Sequence, residues 1–356
     1  MSGSTAVGRG SDGRADGAPR NSNRIGVSIV GTGSAIPQGV ITNADLEKLM
    51  DTSDEWIIQR TGIKTRHKID RSKGESTSTL AAEALKKALA SAKLQPTDLD
   101  LIICATMTPE MGCPPCGCLI SNLVGATGCS AFDLSGACSG YVYALNVAHA
   151  LMQAGEYRTV AVIGSDCLTP LMDYSNNGRT TAILFGDAAG AAILQATDNP
   201  DQGIIAQTMH ADGRGWKEIY IPYNNADFPD GVEPDPAKIG HVQMNGAGVF
   251  KFAVGTFPGV IQETLDKAGV AASDVDMYVC HQSNARILSA ARERFGLPEN
   301  KLYVNIDKVG NTLAASVPLV LDECVRTGKL TLGSMQKVLF VAFGGGLTWG
   351  SSLWQL

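Results

Sequence analysis

The chain reads as a layered α/β protein made of two fused copies of one unit, and three observations lead there. Short β-branched runs alternate with Ala-rich helical stretches from Arg24 onward. A helix-to-strand segment recurs 176 positions later in the chain. The composition, 44% hydrophobic and 18% charged over 356 residues, supplies enough apolar surface to offset the entropy of ordering a large core.

Residues 1–23 are rich in Gly, Ser, Arg and Asp without periodicity, and a disordered tail is expected there. Residues 25–30 follow as the first buried strand and residues 79–92 as an amphipathic helix. Residues 92–104 align without a gap on residues 268–280, each ending in an apolar strand that closes on a cysteine, Cys104 and Cys280. Residues 160–164 match residues 338–342 at a spacing of 178. A period this long excludes a solenoid. It predicts two halves, residues 24–200 and 201–356, joined within residues 195–245, with a pseudo-dyad that brings matching strand ends together.

Charge and composition narrow the function classes. The formal net charge of −6 offers no global electrostatic footprint for nucleic acid and no polybasic membrane anchor. No apolar run approaches the roughly 18 residues of a membrane span, and no secretory core opens the chain, so a cytoplasmic protein is expected. The nine cysteines are odd in number and are expected to be free thiols. Cys113, Cys116 and Cys118, with Cys129 nearby, resemble part of a zinc loop, yet no second Cys or His pair follows at finger-like spacing. No metal is expected; a cysteine-cluster metal-binding or scaffold protein stands as the non-enzyme alternative.

Three residues can carry chemistry. Residues 132–140 read as a strand, a tight Gly turn and a helix start, and the turn places Cys138 where unsatisfied helix amides favour a nucleophilic thiolate. His281 falls just past the buried strand of the second repeat, where loops of open α/β sheets carry function. Asn311 lies in a Gly turn entering a helix, nearly the place in the second half that Cys138 holds in the first. A Cys, a His and an Asn at equivalent ends of two related halves point to thiol catalysis, with a cysteine hydrolase as one alternative.

The chain resembles the β-ketoacyl-acyl carrier protein synthase III enzymes of the thiolase-like condensing superfamily. The resemblance runs from about residue 25 to residue 356 and rests on residues 43–47, 51–57, 60–63, 185–187, His281-Gln282, Gly310-Asn311-Thr312, residues 314–318, residues 342–346 and Thr348-Trp349-Gly350. It implies a five-layered αβαβα thiolase-like fold from two pseudo-symmetric halves, a homodimer, and decarboxylative Claisen condensation. It implies Cys138, His281 and Asn311 as catalytic residues, with backbone amides of Cys138 and Gly345 as the oxyanion hole. An acyl-CoA and malonyl-acyl carrier protein are the implied substrates, and no cofactor is implied besides the coenzyme A thioester itself.

The same resemblance implies a coenzyme A site at Trp56, Arg60, Thr61, Arg179 and Asn284, where a ring and a guanidinium plane can sandwich adenine. In residues 177–181 the family more often has Gly directly after the Arg that corresponds to Arg179, so a local backbone difference is expected. Lys251, Arg286 and Arg294 take the positions of a patch for the acidic carrier protein, with Glu293 where a further Lys is frequent. Cys113 occupies a place in the acyl pocket that is often Phe in acetyl-selective members, so a primer longer than acetyl is expected. A specialised natural-product starter enzyme or acyltransferase of the same superfamily would share these residues and is the alternative enzyme reading.

Overall fold

The computed structural model describes residues 25–356; the tail read over residues 1–23 lies outside them. The first part of the chain runs through β1 (Gly26–Ala35), β2 (Gly39–Thr42), α1 (Asn43–Glu47), α2 (Asp54–Thr61), β3 (Thr65–Lys68), α3 (Thr77–Ala92), β4 (Leu101–Ala105), α4 (Cys116–Val124), β5 (Ser130–Leu134), α5 (Gly140–Gln153), β6 (Thr159–Asp166), α6 (Arg179–Ala182) and β7 (Ala188–Thr197). The remainder runs through β8 (Gly203–Ala211), β9 (Ile219–Tyr220), β10 (Gln243–Met244), α7 (Gly246–Ala268), β11 (Met277–Cys280), α8 (Ala285–Arg294), α9 (Ile306–Val309), α10 (Ser316–Arg326), β12 (Lys337–Gly344) and β13 (Thr348–Gln355).

Local chemistry sets the boundaries. Ser76 caps α3 in a box with Thr79, and buried Leu80, Ala81, Ala84, Leu85, Ala88 and Leu89 follow at helical spacing. The helix ends where Lys93 turns left-handed at φ 58°, and α7 ends 176 residues later at Gly269 with φ 64°. The recurrence seen in the sequence is therefore a recurrence of backbone as well.

Two sheets face each other. One has the order β1-β7-β6-β4-β5, the other β11-β12-β13-β8. Strands β4 and β6 run parallel, as do β11 and β12, while β1–β7, β6–β7, β8–β13 and β12–β13 are antiparallel. Read outward from the parallel pair, the second sheet repeats four strands of the first. The fifth, β5, pairs parallel with β4 and forms an edge; a single parallel bridge from Tyr278 to Leu302 stands at its place in the second sheet.

Strand alternation creates five layers. Leu101, Ile103 and Ala105 of β4 join Met277 and Val279 of β11 in a central core around α5 and α10. The opposite faces, through Ile102 and Cys104, pack on α3 and α4, while Tyr278 and Cys280 pack on α7 and α8. Leu145 of α5 lies fully buried in the central layer, so Leu145→Ala would cost about 2–5 kcal/mol by leaving a cavity. The rigid middle layer matters for function because both of its helices begin at the site.

Candidate active site

Helices α5 and α10 start in the same way. Each is preceded by a single 3₁₀ turn, Ala137–Ser139 and Leu313–Ala315, and each turn opens on a non-glycine residue at positive φ, 46° at Ala137 and 49° at Leu313. These residues are 176 positions apart, the spacing of the repeat. A left-handed residue without glycine costs about 1–2 kcal/mol, so the packing of the two halves must hold both turns in place. Gly140 permits that packing: a Cβ there would lie 3.2 Å from Ala105 Cβ and 3.8 Å from Ala314 Cβ.

The first turn presents Cys138, buried in an apolar cluster with Leu168, Phe185 and Leu313. Burial pushes its thiol up to about 12, the Asp166 charge adds to this, and its own backbone amide acts against it. The thiolate expected from the helix start is thus not the resting state; desolvation outweighs the helix amides. Gly344 at the end of β12 lies against the nucleophile, since a Cβ there would sit 2.7 Å from the Cys138 amide nitrogen. Thr348 ties this loop down, its hydroxyl lying 3.0 Å from the Gly345 carbonyl and 3.2 Å from Ser139 Oγ.

The second turn orients Asn311. Its Oδ1 accepts the Leu313 amide at 3.0 Å, which leaves the Nδ2 hydrogens for a ligand. From the first half, Asp166 at the end of β6 accepts the Ala314 amide at 3.0 Å and the Met107 amide at 2.7 Å. Burial raises the Asp166 carboxyl to about 7 against these hydrogen bonds.

His281 follows β11. Its backbone amide donates to Val341, and the adjacent Gln282 fixes the loop by donating from its backbone amide to Ser316 Oγ at 2.7 Å and from its side-chain amide to Tyr303 O at 3.1 Å. The ring stands edge-on to Phe343 at 5.6 Å, and Nδ1 has no hydrogen-bond partner among the described residues. Burial lowers the imidazole to about 3, so it is neutral near pH 7.

Cys138, His281 and Asn311 line one cavity of 100 Å³ together with Phe250, Ser283, Asn284 and Gly345. A second cavity of 450 Å³ also reaches Cys138 and Gly345, and its walls include Met107, Leu168, Phe185, Ile219, Val242 and Leu313. Three larger clefts, of 550, 680 and 700 Å³, lack Cys138, His281 and Asn311 in their walls, and the last shares Met107 and Tyr223 with the 450 Å³ cavity.

At the outer end, Trp56 has the Arg60 and Arg179 guanidinium carbons at 5.4 and 5.1 Å from its ring centre. Arg179 also donates to the Asp51 carbonyl at 2.5 Å. It opens α6 directly after Gly178, where a Cβ would collide with Asp173, so the required glycine precedes the Arg here. Arg286 lies over Phe250 at 5.1 Å, which puts it at the mouth of the smaller cavity. Lys251, Arg286 and Arg294 are exposed and form no ion pair among the described residues.

Two expectations, for Thr61 and Cys113, need correction. Thr61 is buried, and its hydroxyl donates to Ile57 O at 2.7 Å within α2, so it does not face a ligand. Asn284 lines the smaller cavity; its Nδ2 donates to Arg60 O at 3.0 Å and its Oδ1 accepts the Arg286 amide, which leaves one Nδ2 hydrogen for a ligand. Cys113 is exposed and is absent from the wall of the 450 Å³ cavity, because its loop lies outside that cavity. The other cysteines do not converge either. Cys116 donates to Glu110 at 2.9 Å, Cys118 is exposed, Cys129 bonds to Ala126 O, and no three His, Cys, Asp or Glu side chains form a metal-binding group among the described residues.

The comparisons with known proteins identify the family and the fold. Residues 132–213 match the model of 3-oxoacyl-[acyl-carrier-protein] synthase III, and residues 265–356 match the model of its C-terminal part. A β-ketoacyl-[acyl-carrier-protein] synthase III of Caldanaerobacter subterraneus is 44% identical over 330 residues, covering 93% of this chain and 98% of the relative. The chain belongs to the β-ketoacyl-[acyl-carrier-protein] synthase III family. It is a condensing acyltransferase with the thiolase-like fold. The synthase III crystal structure from Aquifex aeolicus superposes with a TM-score of 0.84 at 40% identity, covering 93% of this chain and 100% of that one. The priming β-ketosynthase of the R1128 polyketide pathway also superposes at 0.84, with 31% identity and coverage of 94% and 97%. Among the described residues no helix is long and apolar enough to cross a membrane.

Proposed function

We propose that this synthase III enzyme starts type II fatty acid synthesis by moving an acyl group from acyl-CoA to Cys138 and condensing it with malonyl-acyl carrier protein. The observation that carries the reading is a neutral His281 and an Asn311 with its carbonyl tied back, both lining the cavity of a buried thiol. Neither group is a strong base. Both can donate a hydrogen bond to an oxyanion, which suits an enolate made by decarboxylation rather than by proton abstraction.

In the first step the Cys138 sulfur attacks the thioester carbonyl, amides of Cys138 and Gly345 stabilise the oxyanion, and coenzyme A leaves with the thiol proton. The stack of Arg179 on Trp56 opens to admit the adenine, with Arg60 alongside. In the second step the malonyl thioester enters through the same cavity, and the electrons of its carbon–carboxylate bond form the enolate as CO₂ departs. His281 and Asn311 hold the enolate oxygen. The enolate carbon then attacks the acyl-Cys138 carbonyl, the sulfur leaves and regains a proton, and β-ketoacyl-acyl carrier protein is released. Arg286 near the cavity mouth, with exposed Lys251 on α7 and Arg294 at the far end of α8, supplies positive charge for the acidic carrier protein.

Strand β5 forms an exposed sheet edge, and pairing with a second copy there would give the homodimer. A specialised starter enzyme is the second reading, favoured by the structural likeness to the R1128 priming enzyme. Intact-protein mass spectrometry tests the proposal. An acyl adduct that needs Cys138 and is discharged by malonyl-acyl carrier protein is expected, and an unmodified wild-type protein with every acyl-CoA would overturn it.

A further inference from the structure

Arg66 on β3 is fully buried, yet its guanidinium meets two carbonyls and an amide oxygen rather than a carboxylate. Nη1 donates to Asn43 Oδ1 at 2.8 Å and to Ile41 O at 3.3 Å, and Nη2 donates to Ile183 O at 2.6 Å. Nε has no hydrogen-bond partner among the described residues. Burial pulls the guanidinium down to about 10, so it stays charged at neutral pH. A buried cation without a counter-charge is unfavourable, and a fold that needed only to fill this space would use an apolar side chain.

The contacts of the fork show what it is placed to do. Ile183 opens residues 183–186, and these hold Asn311 from both sides. The Asn311 amide donates to Leu184 O at 2.9 Å, and the Gly186 amide donates to Asn311 O at 3.0 Å, which makes the parallel bridge between Phe185 and Asn311. Two glycines leave room for Arg66 beside this bridge: a Cβ at Gly186 would lie 3.2 Å from Arg66 Cβ, and one at Gly310 would lie 3.1 Å from it. On its other side the fork grips Asn43, whose Nδ2 donates to Asp54 Oδ1 at 2.8 Å and to Ile63 O at 2.9 Å. Asp54 opens α2, the helix that carries Trp56 and Arg60. One guanidinium thus joins the stretch around α2 to the clamp on Asn311.

We infer that Arg66 is a positioning residue for the second half-reaction, acting through the backbone of residues 183–186 to hold the Asn311 side-chain amide at the enolate oxygen. The inference rests on the condensing reading above. A planar fork satisfies acceptors on both segments at once, which neither a Lys ammonium nor an apolar side chain can do. Without it Ile183 O loses its donor, the clamp on Asn311 loosens, and the amide that must meet the developing charge is misplaced. Cys138 feels this less, because its turn is held by Thr348, whose hydroxyl lies 3.3 Å from Gly136 O and 3.2 Å from Ser139 Oγ.

The test times the two half-reactions separately in the full-length protein, by rapid quench and intact mass, with the acyl-CoA that labels wild-type Cys138 fastest. In Arg66→Lys, acyl transfer is expected to stay within about fivefold of wild type while discharge by malonyl-acyl carrier protein slows by about tenfold; Arg66→Gln should slow discharge by about 10²-fold. A second readout separates positioning from packing. In an Asn311→Ala background, Arg66→Lys should add less than about twofold to the discharge loss, because the donor it positions is gone. Equal slowing of both half-reactions, or an undiminished further loss in the Asn311→Ala background, would overturn the inference while leaving the condensing reading intact. Asp54 is exposed, so Asp54→Ala serves where an Arg66 variant does not fold. It removes the outer anchor of Asn43, and discharge alone is expected to slow about threefold, whereas discharge at the wild-type rate would overturn the inference. A wild type that forms no adduct, or one that malonyl-acyl carrier protein does not discharge, would overturn the condensing reading and the inference with it.

Discussion

The turn that carries Cys138 and the turn that positions Asn311 have the same backbone but opposite surroundings. Both run through a left-handed residue into a central helix, Ala137 before α5 and Leu313 before α10. At the first, the facing strand end is Gly344, whose missing side chain lets a backbone approach the thiol. At the second, the facing strand end is Asp166, whose carboxylate grips the Ala314 amide. One copy of the device has been stripped to make room for covalent chemistry, and the other has been braced to hold a hydrogen-bond donor still. Duplication thus separates the step that stores the acyl group from the step that handles the carbanion.

The comparison can be broken most severely at Gly344. Gly344→Ala would place a methyl group 2.7 Å from the Cys138 amide and displace the nucleophile, so acylation should fall by about 10²-fold or more, measured as adduct formation. Asp166→Asn removes the charge that adds to burial in raising the thiol, and turns an N–H donor toward an N–H donor. Condensation should drop about tenfold from the loosened Asn311 turn, at the ~1–3 kcal/mol typical of a lost buried partner, while Cys138 alkylation by iodoacetamide at fixed pH becomes faster. Equal slowing of both reactions would show that Asp166 braces the site as a whole.

His281 gives a pH test. Its folded value of about 3 lies below the ordinary 6.5, so the native state takes up its proton less readily than the unfolded chain. Stability is unaffected above pH 6.5 and is lost as pH falls from 6.5 toward 3. His281→Gln should therefore recover about 3 kcal/mol relative to wild type between pH 7 and pH 4, read from denaturant midpoints. The smallest effect is expected from Ala137→Gly, which relieves a φ of 46° and should stabilise by about 1 kcal/mol or less, seen as a small rise in Tm.

Much of this comparison was legible in the sequence because it rests on local pattern. The repeat at 176 and 178 residues carried the strand pairs, Cys138 and Asn311 stood out beside glycine turns at nearly equivalent places, and His281 stood out just past a buried strand. The wall of the larger cavity was not legible. Ile219 and Val242 come from the short strand β9 and the loop before β10, in the stretch between β8 and α7, with no periodicity to mark them, and only tertiary packing brings them to Cys138. Thr61 misled for a related reason: it is a polar residue next to the site whose hydroxyl is consumed by its own helix. The thiol state was missed because a helix start is visible in sequence, whereas the apolar cluster that desolvates Cys138 is not. Gly344 carried a signal in the run of three glycines at 344–346, but which of them touches the nucleophile depends on the β12 register.

The division of labour between the turns is tested most directly by Asn311→Ala, with the two half-reactions timed separately in single-turnover experiments. Acyl transfer from acyl-CoA to Cys138 should stay within about fivefold of wild type, while discharge of the adduct by malonyl-acyl carrier protein should fall by about 10²–10³-fold, the loss typical of one oxyanion donor. Equal losses in both half-reactions would contradict the separation, and unchanged discharge would remove Asn311 from the second step.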